Sequence, residues 1–173
     1  MLYHFSENPE IHIFAPRHPA GRDDERAVVW AIDAHHAPHY YVPRDCPRIC
    51  VEAGRETAES DVEKFFGLSG VRRMIAVEAG WDSRIRDGKL YRYVFHPEGF
   101  ELLDSNAGYY VSPHPVTPIA VEPMDDLIGA IVGADIELRV MPSLMRLKEQ
   151  VLASTLHYSM IRMRNAVPDT SLE

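Results

Sequence analysis

Short segments rich in β-branched and aromatic residues constrain the fold of this chain more than any other feature. Gly, Pro, Asn or Asp separates each segment from the next, as is typical of strands joined by turns. The segments are "LYHFS", "IHIF", "AVVWAID", "RICVEA", "VRRMIAVEA", "KLYRYVFH", "FELL", "GYYVS", "TPIAVEP" and "DIELRV". Because no helix follows each strand in regular alternation, the order predicts an α+β fold with a mainly antiparallel sheet that is split or strongly bent.

Helices are predicted at scattered positions around these strands. Thr57 to Gly67 has Ser60 and Glu63 at the spacing of a capping box. Pro142 begins the longest predicted helix, "PSLMRLKEQVLASTLHYSMIRMR". Shorter helices are predicted at "WDSRIRD" and "MDDLIGAIVGA". We therefore expect helices that flank the sheet.

Length and composition favour a single globular domain over residues 1–173. The chain has 173 residues, of which 46% are hydrophobic, and this suffices for one sizeable core. No repeat and no Gly/Ser linker divides it. The most polar stretch, Pro16 to Arg26, contains two prolines and a glycine and is predicted to be a surface loop.

The charge of the chain argues against two classes of partner. A formal net charge of -8 opposes broad binding to nucleic acid or to anionic membranes, because both need a concentrated positive surface. No segment has the roughly 20 apolar residues that cross a bilayer, and "MLYHFSENPEIHIF" lacks the features of a signal peptide. We therefore expect a cytoplasmic protein without a membrane partner. No feature of the sequence sets its oligomeric state.

Cys46 and Cys50 are the only cysteines. Without a secretory signal, a disulfide framework is not expected. One hypothesis makes Cys46 a nucleophile with His39 or His4 as its base, since flanking arginines would lower the pKa of the thiol. The alternative is that both thiols are buried, as free cysteines commonly are.

Nine histidines raise the question of a metal site. If residues 34–41 are helical, His35 and His39 lie one turn apart on one face, a spacing that suits two imidazoles on one zinc ion. The candidates for a third ligand are His4, His12, Asp33 and Cys46. Pro38 and Pro43 limit the helix to two turns, however, so we assign no metal ligand.

Three segments occur in an order that resembles a known fold. "LYHFS", "VWAIDAHHAPHYY" and "NAGYYVSPHPVTPIAVEP" follow one another along the chain. In this order they are similar to three elements of the ADP-ribosyltransferase-like fold, whose proteins often begin with a strand resembling "LYHGT". The resemblance implies an NAD site in which His4 orients the ribose and Tyr40 or Tyr41 stacks on nicotinamide.

The chain departs from this fold at the position of the catalytic glutamate. Tyr109 and Tyr110 stand where such transferases usually carry a glutamate, so Glu101 or Glu122 would have to supply the carboxylate. We predict catalytic roles for His4, Tyr40 and Tyr110, and ligand-binding roles for Ser6, Tyr41, Arg44, Tyr109 and Ser112.

The chemistry of these residues supports a ligand site independently. Histidine and tyrosine have flat faces and hydrogen-bonding tips that suit an aromatic ligand. Arg44 and Arg48 would bind a phosphate or carboxylate in bidentate fashion. The alternative is that the tyrosines pack in the core with their hydroxyls hydrogen bonded.

The favoured function is binding of NAD or an ADP-ribose-like ligand, with glycosidic-bond chemistry. A metal-dependent enzyme and a non-enzymatic interaction protein are the alternatives.

The whole chain also resembles a set of uncharacterised bacterial proteins. The shared motifs are "LYHFSE", "HAPHYYxPRDCPR" and "STLxxSxIRMRNA". This resemblance extends over the length of the chain and implies no activity.

Overall fold

The chain forms two compact units in a computed structural model that describes residues 1–18 and 26–168. The first unit consists of Met1–Tyr41 and Lys89–Asp125, and the second consists of Val42–Gly88 and Asp126–Glu173. Each unit contains one mainly antiparallel sheet. The predicted α+β class is therefore confirmed, with the strands divided between two sheets.

Strands outnumber helices in the part of the chain that the structure describes. The strands are β1 (Leu2–Ser6), β2 (Val29–Ile32), β3 (Arg48–Glu52), β4 (Arg73–Glu78), β5 (Leu90–Phe95), β6 (Glu101–Asp104), β7 (Tyr109–Ser112), β8 (Ala120–Met124), β9 (Glu137–Met141) and β10 (His157–Ile161). The α-helices are α1 (Glu59–Phe66), α2 (Asp82–Arg86), α3 (Leu127–Val132) and α4 (Met145–Leu152). Three 3₁₀ turns add Ala37–Tyr40, Ala79–Trp81 and Met163–Asn165.

The sheet of the first unit has six antiparallel strands in the order β6-β7-β2-β1-β5-β8. Successive side chains of a strand point to opposite faces, and paired residues of neighbouring strands share a face. The pairing gives one face, here called the core face, which contains Leu2, Val29, Ala31, Tyr93 and Phe95 with Phe14 packed on it. The other, here called the aromatic face, contains Tyr3, Phe5, Trp30, Arg92 and Tyr109.

The sheet of the second unit has four strands in the order β10-β3-β4-β9. Only its β4–β9 pair is parallel. Helices α1 and α4 supply apolar side chains to a core that the strands complete; this core contains Ile49, Val51, Met74, Ala76, Phe65, Phe66, Leu144, Leu147 and Val151. Burial of these side chains stabilises the unit, at about 25 cal/mol for each Å² of apolar surface removed from water.

The longest predicted helix is wrong in its second half. Helix α4 ends at Leu152, and His157–Ile161 forms strand β10 at the edge of the sheet, antiparallel to β3. Thr155 stands between these elements and hydrogen bonds to Asp61 through both its amide and its hydroxyl. Pairing with the edge of β3 and the hydrogen bonds of Thr155 therefore stabilise a strand here, although the sequence pattern of the segment favours a helix.

Three smaller predictions concern a short strand, a helix cap and a loop. In "IHIF" only Phe14 pairs, in an isolated bridge with Val116, so the predicted strand is wrong. The predicted capping box is also wrong, because α1 begins at Glu59 and the amide of Ala58 donates to Thr155 Oγ1. Of the predicted loop from Pro16 to Arg26, residues 19–25 lie outside the described residues.

Candidate functional site

Four aromatic side chains of the first unit lie together over the aromatic face. The hydroxyls of Tyr40 and Tyr109 are hydrogen bonded at 2.9 Å. The ring of Phe5 lies 6.5 Å from that of Tyr40 at an angle of 8°, and Trp30 meets Tyr109 edge-on at 5.6 Å. We call Phe5, Trp30, Tyr40 and Tyr109 the aromatic cluster. All four side chains are partly buried, so each keeps some exposed surface.

A single 3₁₀ turn brings Tyr40 to this cluster. The predicted helix after Asp33 is only this turn, Ala37–Tyr40, in which Ala37 and Pro38 are buried. The amide of Asp33 donates to the carbonyl of Gly108 at 3.0 Å, which joins the end of β2 to the residue before β7. The turn and β7 therefore place Tyr40 opposite Tyr109.

Arg92 carries the positive charge of the aromatic face. Its guanidinium donates to Glu122 from Nε at 2.6 Å and lies 5.4 Å from the centre of the Tyr3 ring. Burial lowers the pKa of Arg92, but hydrogen bonds with Glu122 and Tyr41 outweigh it and hold the pKa above its ordinary value. Tyr41 itself is buried against Phe5. Sequence reasoning missed Arg92, although an arginine inside the aromatic strand "LYRYVF" was a usable signal.

The remaining predicted residues of the first unit lie on the core face. His4 Nδ1 donates to the carbonyl of Trp30 at 3.0 Å, and its ring packs on Phe14 at 4.9 Å. Tyr110 packs against the same core. Ser6 accepts from a backbone amide two residues on, and Ser112 is buried. The structure thus brings Tyr40, Tyr41 and Tyr109 together and places His4, Ser6, Tyr110 and Ser112 on the other side of the sheet.

Arg44 and the thiols belong to the second unit. Arg44 is exposed, whereas Arg48 is 1% exposed and donates to the carbonyl of Cys46 at 2.9 Å. Burial raises the pKa of Cys46 to about 12, although the nearby charge of Arg48 lowers it. Burial has the same effect on Cys50, whose pKa is also about 12. This environment opposes a nucleophilic thiolate at neutral pH and agrees with the alternative of buried structural thiols.

An Asp–His pair packs against Gly108, the residue before β7. Asp33 Oδ1 lies 2.8 Å from His36 Nδ1 and accepts from the His36 amide at 2.8 Å. A Cβ atom on Gly108 would lie 2.3 Å from His36 Nδ1, so only glycine leaves room for the pair. The sequence analysis named Asp33 only as a candidate third metal ligand and gave His36 no role. The spacing of three residues was the signal that pointed to their contact.

The histidines of this segment form a row of rings. His36 lies between His35, at 4.9 Å, and His39, at 5.5 Å, in edge-to-face contacts. Within the described residues, no three His, Cys, Asp or Glu side chains are arranged to hold a metal ion. Among the same residues, no helix has both the length and the apolar character to span a membrane.

Comparison with known proteins gives one match. Neither a curated protein nor a solved structure matches the chain, so its resemblance to the ADP-ribosyltransferase-like fold stays a prediction. Residues 3–166 match the family of unknown function DUF6886. Because this match covers nearly the whole chain, the protein belongs to that family.

Proposed function

We propose that the first unit binds a nucleotide-type ligand, such as NAD or ADP-ribose, by stacking a base on the aromatic cluster. The observation that carries the proposal is the hydrogen bond between Tyr40 and Tyr109, which joins the hydroxyls of two partly exposed tyrosines. Every base has a flat π-face, and stacking on an aromatic side chain contributes about 1–3 kcal/mol.

Arg92 and Glu122 supply the polar contacts that such a ligand needs. The Arg92 side chain is 36% exposed and that of Glu122 is 45% exposed. A guanidinium has five N–H donors, and Glu122 engages the Nε and Nη2 groups of Arg92. Donors are therefore left for a phosphate, and the carboxylate of Glu122 accepts hydrogen bonds from ribose hydroxyls.

The reaction class we propose is cleavage of the glycosidic bond between the ribose and its base, as the ADP-ribosyltransferase-like resemblance implies. Glu122 pairs with Arg92 and so shares its face with Tyr109. His4 lies on the core face instead, where its Nδ1 already donates to Trp30. In this proposal Glu122, rather than His4, orients the ribose.

Calorimetric and thermal-shift titrations with NAD, ADP-ribose, nicotinamide and AMP test the binding. We expect NAD to bind the wild type, and Tyr109→Leu to weaken it about 5- to 150-fold, the equivalent of one lost stacking contact. Tyr158→Leu is the matched control, because Tyr158 is an exposed strand tyrosine of the second unit. Absence of binding to the wild type, or an equal loss in both variants, would refute the proposal.

A further inference from the structure

A cavity of about 440 Å³ lies in the second unit, where the C-terminal end of α1 meets the edge strand β9. The last residues of α1, the loop that follows it and two side chains of β9 line this space, which we call the α1–β9 cavity. Small-molecule sites commonly have volumes of about 300–1,000 Å³, so it has room for a small organic ligand. All of its lining residues belong to the second unit, whereas the aromatic cluster belongs to the first.

An ion pair between Arg139 and Glu137 forms one wall of the cavity. The guanidinium donates to Glu137 Oε1 from Nε at 3.0 Å and from Nη2 at 2.7 Å. Nη2 also donates to the carbonyl of Phe65 at 3.0 Å, which fixes the guanidinium at the end of α1. Among the described residues no hydrogen bond engages Nη1, so its two N–H groups remain for a ligand. The Arg139 and Glu137 side chains are 33% and 26% exposed, so a ligand can reach both.

Glu137 lines the cavity as an ionised carboxylate. Burial raises its pKa, but hydrogen bonds from Ser69 and Arg139 outweigh burial and hold the pKa below its ordinary value. A carboxylate has about four acceptor sites, of which the two bonds from Arg139 and the one from Ser69 occupy three. One site therefore remains for a donor from a ligand.

The charges around the cavity are balanced. Lys64 and Glu63 of α1 add one charge of each sign to the charges of Arg139 and Glu137. The two carboxylates would repel a purely anionic ligand, and the two cations would repel a purely cationic one. A zwitterion instead meets an opposite charge at each of its own charged groups.

Leu68 adds an apolar surface to this charged cavity. Its side chain is fully exposed, so it buries no apolar surface within the unit. An apolar group of a ligand would cover part of this side chain, and the removal of apolar surface from water favours binding.

We propose that the α1–β9 cavity binds a free α-amino acid with an apolar side chain, such as leucine. The ligand carboxylate accepts from Arg139 Nη1 and from Lys64, and the α-ammonium group donates to Glu137. The two charged groups of an α-amino acid are neighbours, as are Arg139 and Glu137, so each ligand group lies beside the side chain of opposite charge. The ligand side chain packs on Leu68. This site does not depend on the proposed function of the first unit.

Titration of the full chain with leucine, followed by amide NMR spectra, tests the site. We expect shifts at the amides of Gly67, Leu68 and Ser69. Leucinamide lacks the carboxylate and N-acetyl-leucine lacks the ammonium group, so each should bind about 10-fold or more weakly than leucine. These compounds also represent the two ends of a peptide, and binding of either one as tightly as leucine would refute a site for free amino acids.

Two substitutions test the residues of the cavity. Arg139→Gln should raise the Kd for leucine about 10- to 100-fold, since it removes a hydrogen bond between charged groups. Arg146→Gln is its control, because Arg146 is an exposed arginine of α4. Leu68→Ser should raise the Kd about 3-fold or more, and Leu152→Ser, at an exposed leucine of the same unit, should leave it unchanged.

The proposal is overturned if leucine shifts none of the three loop amides, or if either folded variant binds leucine with the wild-type Kd. Arg139 also holds the end of α1, so Arg139→Gln is checked for folding by circular dichroism. If it does not fold, Leu68→Ser decides: a raised Kd supports the site, and a wild-type Kd refutes it.

Discussion

Gly108 shows at the scale of one residue how backbone conformation supports the candidate site. Its φ of +69° lies in the left-handed region that side chains other than glycine rarely adopt. A Cβ atom there would also lie 2.7 Å from Asp33 Oδ2, in addition to its conflict with His36. The position therefore requires glycine for two independent reasons, and the second is the space that the Asp33–His36 pair occupies.

We expect Gly108→Ala to destabilise the protein by more than the strain of a positive φ alone, which is about 1–3 kcal/mol. Gly99→Ala is the control, because Gly99 has a φ of +83° in the same unit but a Cβ atom added to it would meet no other atom within 4 Å. Urea unfolding of both variants measures the difference. Equal losses of unfolding free energy in the two variants would mean that the steric conflict with Asp33 and His36 does not contribute to the loss of stability.

Among the elements, the segment between α4 and β10 differs most from the prediction, because the predicted helix ends there. We call the contacts of Thr155 in this segment the Thr155 junction. Thr155 accepts from the amide of Ala58 at 2.8 Å, and its own hydroxyl donates to Asp61 at 2.7 Å. These bonds connect the start of α1 with the segment between α4 and β10. Because both partners are distant in sequence, the helical pattern of residues 142–164 gave no sign of them.

The Thr155 junction predicts a pH dependence of stability. Hydrogen bonds from the backbone and side chain of Thr155 hold the pKa of Asp61 below its ordinary value of 3.8. The carboxylate therefore stabilises the folded state fully above pH 3.8, and this contribution is lost as the pH falls through the lowered pKa. We expect Asp61→Asn to be less stable than the wild type at pH 7, with the difference vanishing in acid.

Urea unfolding at a series of pH values checks this expectation. Asp87→Asn is the matched control, because Asp87 is an exposed aspartate of the same unit and should show no such difference. A stability gap between Asp61→Asn and the wild type that stays constant into acid would show that the charge of Asp61 is not involved.

At the scale of the whole molecule, neither unit is a continuous stretch of chain. Each is built from two segments, and the chain passes between the units after Tyr41, Gly88 and Asp125. When one unit folds, its two segments come together and so bring close the two ends of the segment between them, which belongs to the other unit. The entropy cost of closing that segment into a loop is then already met. This arrangement favours cooperative folding, and the single domain expected from the sequence stays a prediction.

The two tryptophans test that expectation, since Trp30 belongs to the first unit and Trp81 to the second. Trp81→Phe leaves a fluorescence reporter in the first unit, and Trp30→Phe leaves one in the second. We expect each single-tryptophan variant to give fluorescence and far-UV circular dichroism transitions with the same midpoint in urea. Separate midpoints within one variant would indicate that the units unfold independently.

Much of the fold was predictable because strand signals are local. "LYHFS", "RICVEA" and "KLYRYVFH" combine β-branched or aromatic residues with adjacent turn formers, and each contains a strand of the structure. Strand β10 was missed because apolar residues at helical spacing, Leu144, Leu147, Val151, Leu152 and Leu156, continue to the residue before it. What ends that stripe is the pairing of β10 with β3, a contact between residues about a hundred positions apart.

The sequence by itself determined the α+β class, most of the strands and the aromatic character of the segments around Tyr40 and Tyr109, because these depend on composition and spacing along the chain. Tertiary structure alone decided which of these residues meet. Strand alternation separates His4 from Tyr109, and strand pairing with one 3₁₀ turn joins Tyr40 to Tyr109. The physical reason is that a side chain's neighbours follow from the register and faces of paired strands, which distant residues set.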